Sequence, residues 1–64
     1  MIGANVRSLR KKKGLSQEKL ARLADISLNT LTKIESGFAK KPTIQTAAKL
    51  AKALGISLDE LVKN

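Results

Sequence analysis

Asn29, Thr32, Lys33 and Ser36 gather on one side of a short helical pattern whose other side carries Leu31 and Ile34. At about 100° per residue, Asn29 and Ser36 point almost directly away from that apolar pair. Thr32 and Lys33 flank them, and Leu28 sits at the edge. An amide so placed can bond adenine in the DNA major groove, and an ammonium can meet guanine or phosphate. A leucine at the rim can touch a thymine methyl. This is recognition chemistry. Catalysis has little to work with, since there is no His, no Cys, no pair of carboxylates in a plausible cleft and no glycine-rich phosphate loop. Metal-ligand spacing is also absent, so no cofactor, metal or small-molecule ligand is expected and the enzyme class is the weakest reading.

Two other charges stand out by position. Arg10 lies on the apolar stripe of the first helical pattern, four residues after Val6. Glu35 lies about 70° from the buried direction of its own helix. Charges so placed need partners, which predicts an Arg10–Glu35 ion pair joining the first and third helices, with Arg10 also reaching a phosphate. The alternative is two side chains extending separately to water. Arg7, Arg10, Lys11, Lys12 and Lys13 form the densest charge cluster. It reads either as a phosphate patch or as solvated surface, and solvation is the better account of Lys11 and Lys12.

The elements that must hold these residues are helical throughout, with no strand-like alternation. A first helix is expected from Gly3 to Lys13, with Ile2, Val6, Leu9 and Lys13 on one stripe and Gly14 as its stop. Ser16 caps a second helix that turns Leu20, Ala21 and Ala24 inward. Asp25-Ile26-Ser27 is a three-residue break, and Ser27 caps a third helix over Leu28–Ser36. Ala21 permits a close crossing of these two helices, Ile26 drops from the break into the core, and Asp25 occupies a left-handed position that favours glycine. Pro42 pushes Lys41 out of helical geometry. Thr43 then caps a fourth helix, with Ile44, Ala47, Leu50, Ala51 and Leu54 inward. After Gly55, Ser57 and Glu60 open a short fifth helix that buries Leu58, Leu61 or Val62. The fold class is therefore all-α: five short helices in a single domain over residues 1–64, with helices 2 and 3 forming a helix-turn-helix.

Composition agrees with a polyanionic partner. Thirteen Lys and Arg against five Asp and Glu leave +8 on 64 residues, which favours nucleic acid or an acidic membrane surface. Phe38 is the only aromatic residue, so stacking platforms for single strands are not expected. No stretch approaches the ~20 apolar residues of a membrane span. The Met1–Arg10 stretch lacks the apolar run of a signal peptide, and a cysteine-free chain fits a cytoplasmic location, nucleoid-associated where the partner is DNA.

Gly-Leu-Ser-Gln-Glu at 14–18, Leu-Ala at 20–21, Ile-Ser at 26–27, Ile-Glu-x-Gly at 34–37 and Ala-Leu-Gly-Ile-Ser at 53–57 resemble the phage repressor/Cro family of XRE-type helix-turn-helix regulators. The resemblance spans nearly the whole chain and implies a lambda-repressor-like fold. It implies base contacts by Ser27, Leu28, Asn29, Thr32 and Lys33. Phosphate contacts fall to Gln17, Lys40 and Lys41, joined by Arg10 and by Ser36 on the outward face of the third helix. Some relatives carry a minor-groove arginine after the loop proline, where this chain has Thr43. A dimer surface is implied near the helix after Gly55, with Ile56, Leu58 and Val62 as apolar candidates.

The leading expectation is a sequence-specific double-stranded DNA-binding regulator, a repressor acting as a homodimer on half-sites about 34 Å apart. An antitoxin or accessory protein-interaction module is the alternative, and an apolar patch around Leu23 or Phe38 would favour it. A membrane-surface protein is a third class, disfavoured by the capped, globular pattern.

Overall fold

Four hydroxyl side chains set where helices begin. In the computed structural model, which describes residues 2–38 and 42–63, Ser16 Oγ accepts from the Lys19 N–H at 3.0 Å and Ser27 Oγ from Thr30 N–H at 3.0 Å. Thr43 Oγ1 accepts from Thr46 N–H and Ser57 Oγ from Glu60 N–H, each at 3.1 Å. Each satisfies an N–H that has no intrahelical partner, a contribution of about 1 kcal/mol. The resulting elements are α1 (Ile2–Lys12), α2 (Gln17–Ala24), α3 (Leu28–Ser36), α4 (Ile44–Leu54) and α5 (Leu58–Val62). The described residues contain no strand.

The ends are equally local in origin. Asp25 takes the left-handed conformation, φ 57° and ψ 46°. Its N–H bonds to the Arg22 carbonyl and the Ile26 N–H reaches back to Ala21, which closes α2 in place of the usual glycine. At α1 the observed span lies one residue earlier than the spacing predicts. Lys13 belongs to the closing turn, where its N–H is shared between the carbonyls of Leu9 and Arg10.

The core draws on every helix. Val6 of α1, Leu20 of α2, Leu31 and Ile34 of α3, Leu50 and Leu54 of α4 and Leu61 of α5 are each at most 1% exposed. Burying one such side chain contributes about 1.5–3 kcal/mol. Ala21, Ala24, Ala47 and Ala51 fill the remaining buried places with single methyl groups, and these let the helices approach. One inward assignment is corrected. Ile44 shares the wheel angle of the α4 core row but is 78% exposed. It stands at the first position of α4, a turn before Ala47, where no described residue covers it.

Two contacts of α1 fix how the bundle closes. Gly3 is buried against the main chain of Ile34, where α1 crosses α3. On the other side, Asn5 Nδ2 donates to the Leu61 carbonyl at 2.9 Å and to the Lys63 carbonyl. The last carbonyls of a helix lack intrahelical donors, so this one amide caps α5 and ties it to α1.

Candidate nucleic-acid interface

The α2–break–α3 unit is held by small and branched apolar groups. Ala21 is 3% exposed and lets α3 cross closely, while Ile26 packs from the break against the core. Leu31 and Ile34 occupy the inner side of α3, which leaves the opposite side to solvent.

On that outer side Asn29, Lys33 and Ser36 are exposed, Leu28 is 42% exposed and Thr32 is half-buried. Their polar groups are not equivalent. Thr32 Oγ1 donates to the Asn29 carbonyl at 2.9 Å, and Ser36 Oγ donates to the Lys33 carbonyl at 3.0 Å. Ser27 Oγ donates to Thr30 Oγ1 at 2.7 Å while accepting from the Thr30 N–H. These hydroxyls serve their own helix. Among the described residues, the Asn29 amide and the Lys33 ammonium make no hydrogen bond to protein. The ammonium lies 6.0 Å from the Phe38 ring centroid, at the outer limit of a cation–π contact.

Behind this face is the ion pair that the helical angles predict. Arg10 Nε donates to Glu35 Oε2 at 2.8 Å and Arg10 Nη2 donates to Glu35 Oε1 at 3.0 Å, a two-bond fork. The side chains are 11% and 3% exposed. Arg10 Nη1 also donates to the Leu15 carbonyl at 2.8 Å, so one guanidinium joins α1, the turn before α2 and α3. Gln17 completes the group by donating Nε2 to Glu35 Oε1 at 3.1 Å.

The fork takes up part of the donor capacity of two residues that the family resemblance assigns to phosphate, Arg10 and Gln17. Gln17 gives one of its two amide N–H groups to Glu35 and keeps the other without a protein partner among the described residues. The backbone N–H groups at the start of α2 lie beside it, where a helix favours anions. Arg10 has three N–H groups committed to protein. Lys40 and Lys41 lie outside the described residues. Of the three apolar candidates for a dimer surface, Ile56 and Leu58 pack partly against the core and Val62 is 51% exposed.

Sequence reasoning missed three contacts. The Asn5 cap has a helix-facing amide as its only signal, with no spacing rule to connect it to residue 61. Gly3 was readable as a helix-forming position with no side chain, which marks a close approach. The Gln17–Glu35 bond needed the turn geometry that brings the start of α2 beside the end of α3.

Comparison with known proteins follows the same lines. A family model described as helix-turn-helix matches residues 6–61. The chain is 40% identical over 62 residues to an uncharacterized HTH-type transcriptional regulator, y4dJ, of Sinorhizobium fredii, covering 97% of this chain and 79% of that protein. It is 34% identical over 64 residues to the cryptic phage CTXphi transcriptional repressor RstR of Vibrio cholerae, covering 100% of this chain and 57% of that one. The fold superposes with a TM-score of 0.94 on the biofilm master regulator SinR, solved in complex with DNA. There the identity is 33%, with 98% of this chain and 100% of that chain covered.

Proposed function

The chain belongs to the helix-turn-helix family of phage-repressor-like, XRE-type regulators, and from that premise we propose that it binds double-stranded DNA sequence-specifically and regulates transcription. The observation that carries this is the outer face of α3. Asn29 and Lys33 are exposed there with uncommitted polar groups, on a helix anchored from behind by the Arg10–Glu35 fork. Such a helix reads base edges in the major groove while neighbouring groups hold the phosphates.

Our finer reading is a repressor that acts as a homodimer in the cytoplasm, on the nucleoid, without catalytic activity of its own. Ser27, Leu28, Asn29, Thr32 and Lys33 face the bases in this reading. Gln17 and the backbone beside it meet phosphate, together with Ser36, Lys40 and Lys41. One 64-residue domain makes few base contacts, so a useful specificity ratio calls for two copies on a two-fold-related site. Val62 supplies exposed apolar surface near the end of α5, and Ile56 and Leu58 border it in sequence. Among the described residues no helix is long and apolar enough to cross a membrane.

Selection from random duplex DNA at two salt concentrations tests the reading. Enrichment of a two-fold-symmetric motif supports it, and an unenriched pool overturns it. A second reading, a protein-interaction module that uses DNA secondarily, draws on Leu23 and Phe38, 54% and 80% exposed. It calls for a stoichiometric protein partner and DNA binding without sequence preference.

A further inference from the structure

We propose that the cleft between α1 and α3 is a seat for one phosphodiester of the duplex, and that its working cation is Arg7 rather than Arg10. The proposal rests on the DNA-binding reading above and adds a contact that reading leaves out. The cleft has a volume of about 490 Å³ and is lined by Arg7, Arg10, Gln17, Thr32, Glu35 and Ser36.

The charges in this cleft do not act alike. Glu35 takes both oxygens into the fork with Arg10, and one of them also accepts from Gln17. Arg10 and Glu35 therefore cancel at short range. Three of the five N–H groups of Arg10 are bonded within the protein, and its side chain is 11% exposed. Moving it onto a phosphate would leave Glu35 buried without its cation, which costs several kcal/mol. Arg7 carries no such commitment. It is exposed, and among the described residues it has no carboxylate partner. The surplus positive charge of the cleft is its guanidinium, which suits the forked geometry of a phosphate.

Position gives that charge a use. Thr32 and Ser36 line the cleft one turn apart along α3, the same helix that presents Asn29 and Lys33. A phosphate held here would fix the depth and rotation of the reading face while carrying no sequence information itself. Neutralised phosphates also set salt dependence, about 0.9 in the log–log slope for each contact.

The test measures affinity against salt on a selected duplex and a mismatched one for the wild type, Arg7→Gln, Arg7→Lys and Lys52→Gln. Lys52 lines a separate groove between α2 and α4, so it serves as the charge control. The expected result is a slope shallower by about 0.9 for Arg7→Gln, an equal loss on matched and mismatched duplexes, and the wild-type slope for Arg7→Lys and Lys52→Gln. Melting temperature should be unchanged in Arg7→Gln. An unchanged slope for Arg7→Gln, or an equal fall for Lys52→Gln, overturns the assignment while the DNA-binding reading stands. A wild type that binds no duplex overturns both. Inorganic phosphate at constant ionic strength is the last arm. Displacement of the duplex by phosphate beyond that by chloride, present in the wild type and lost in Arg7→Gln, is the expected result, and the same displacement persisting in Arg7→Gln overturns the assignment to Arg7.

Discussion

The α-carbon of Gly3 rests against the backbone carbonyl of Ile34, so α1 and α3 meet main chain to main chain. A Cβ at position 3 would overlap that carbonyl oxygen, which belongs to helix backbone and cannot swing aside. Alanine would favour the helix by up to about 1 kcal/mol, but relieving an overpacked contact costs about 1–3 kcal/mol. The packing term should win. Gly3→Ala is therefore expected to lose about 1 kcal/mol or more in urea unfolding, and Gly3→Val to lose more. Equal midpoints for Gly3→Ala and the wild type would remove the contact from the account of the fold.

The fork between Arg10 and Glu35 predicts a larger loss. Breaking a buried ion pair by removing one partner costs about 3–5 kcal/mol, because the remaining charge is left buried. The amide introduced by Glu35→Gln keeps one acceptor oxygen, which places that variant near the lower figure. Small domains lose roughly 4–8 °C of melting temperature per kcal/mol, so the variant should melt well below the wild type. Replacing both partners with apolar residues, Arg10→Met with Glu35→Leu, should cost less than either single change. An unshifted melting temperature in Glu35→Gln would mean that the fork contributes nothing to stability.

These two relationships differ in how far the sequence exposed them. The fork was legible because a charge on an apolar stripe has few escapes, and helical angles placed Arg10 and Glu35 near the same boundary. The caps at Ser16, Ser27, Thr43 and Ser57 were legible for a similar reason, since each acts within three residues of itself. Ile44 shows the limit of that reasoning. Its wheel angle is right and its exposure is 78%, because burial needs a neighbouring element as well as an angle. Gly3 and Asn5 act across 31 and 56–58 residues of sequence, distances at which periodicity carries no information. On α3, residue types marked an outward polar face, whereas the split between committed hydroxyls and uncommitted Asn29 and Lys33 depends on which carbonyl each hydroxyl reaches.

Asp25 offers a prediction of opposite sign. It is the only non-glycine residue with positive φ among the described residues, at 57°. Left-handed geometry costs an L-residue roughly 1–2 kcal/mol, less for Asp, and glycine avoids it at some cost in unfolded-state entropy. Asp25→Gly should therefore stabilise the domain by about 0.5–1 kcal/mol. Asp25→Val, branched at Cβ, should destabilise it. Chemical denaturation of the two variants beside the wild type checks both signs, and a destabilised Asp25→Gly would point to a side-chain role that outweighs the backbone.

The uncommitted groups on α3 make the sharpest functional prediction. If Asn29 reads a base edge, Asn29→Ala should weaken binding to the selected duplex by about 1–3 kcal/mol and relax preference at one base-pair position. Thr32→Val should do less to the base preference, because the Thr32 hydroxyl already donates to the Asn29 carbonyl. Lys33 divides two possibilities by experiment. As a base contact its loss should change the selected motif, and as a phosphate contact it should flatten the salt slope by about 0.9 with the motif intact. Phe38→Ala removes the ring beside the Lys33 ammonium, and should shift whichever of these Lys33 controls without altering selection at the Asn29 position. Selection and salt titration on variants at these four positions therefore separate base reading from backbone contact along a single helix. An unchanged motif and affinity in Asn29→Ala would move the reading face off the outer side of α3.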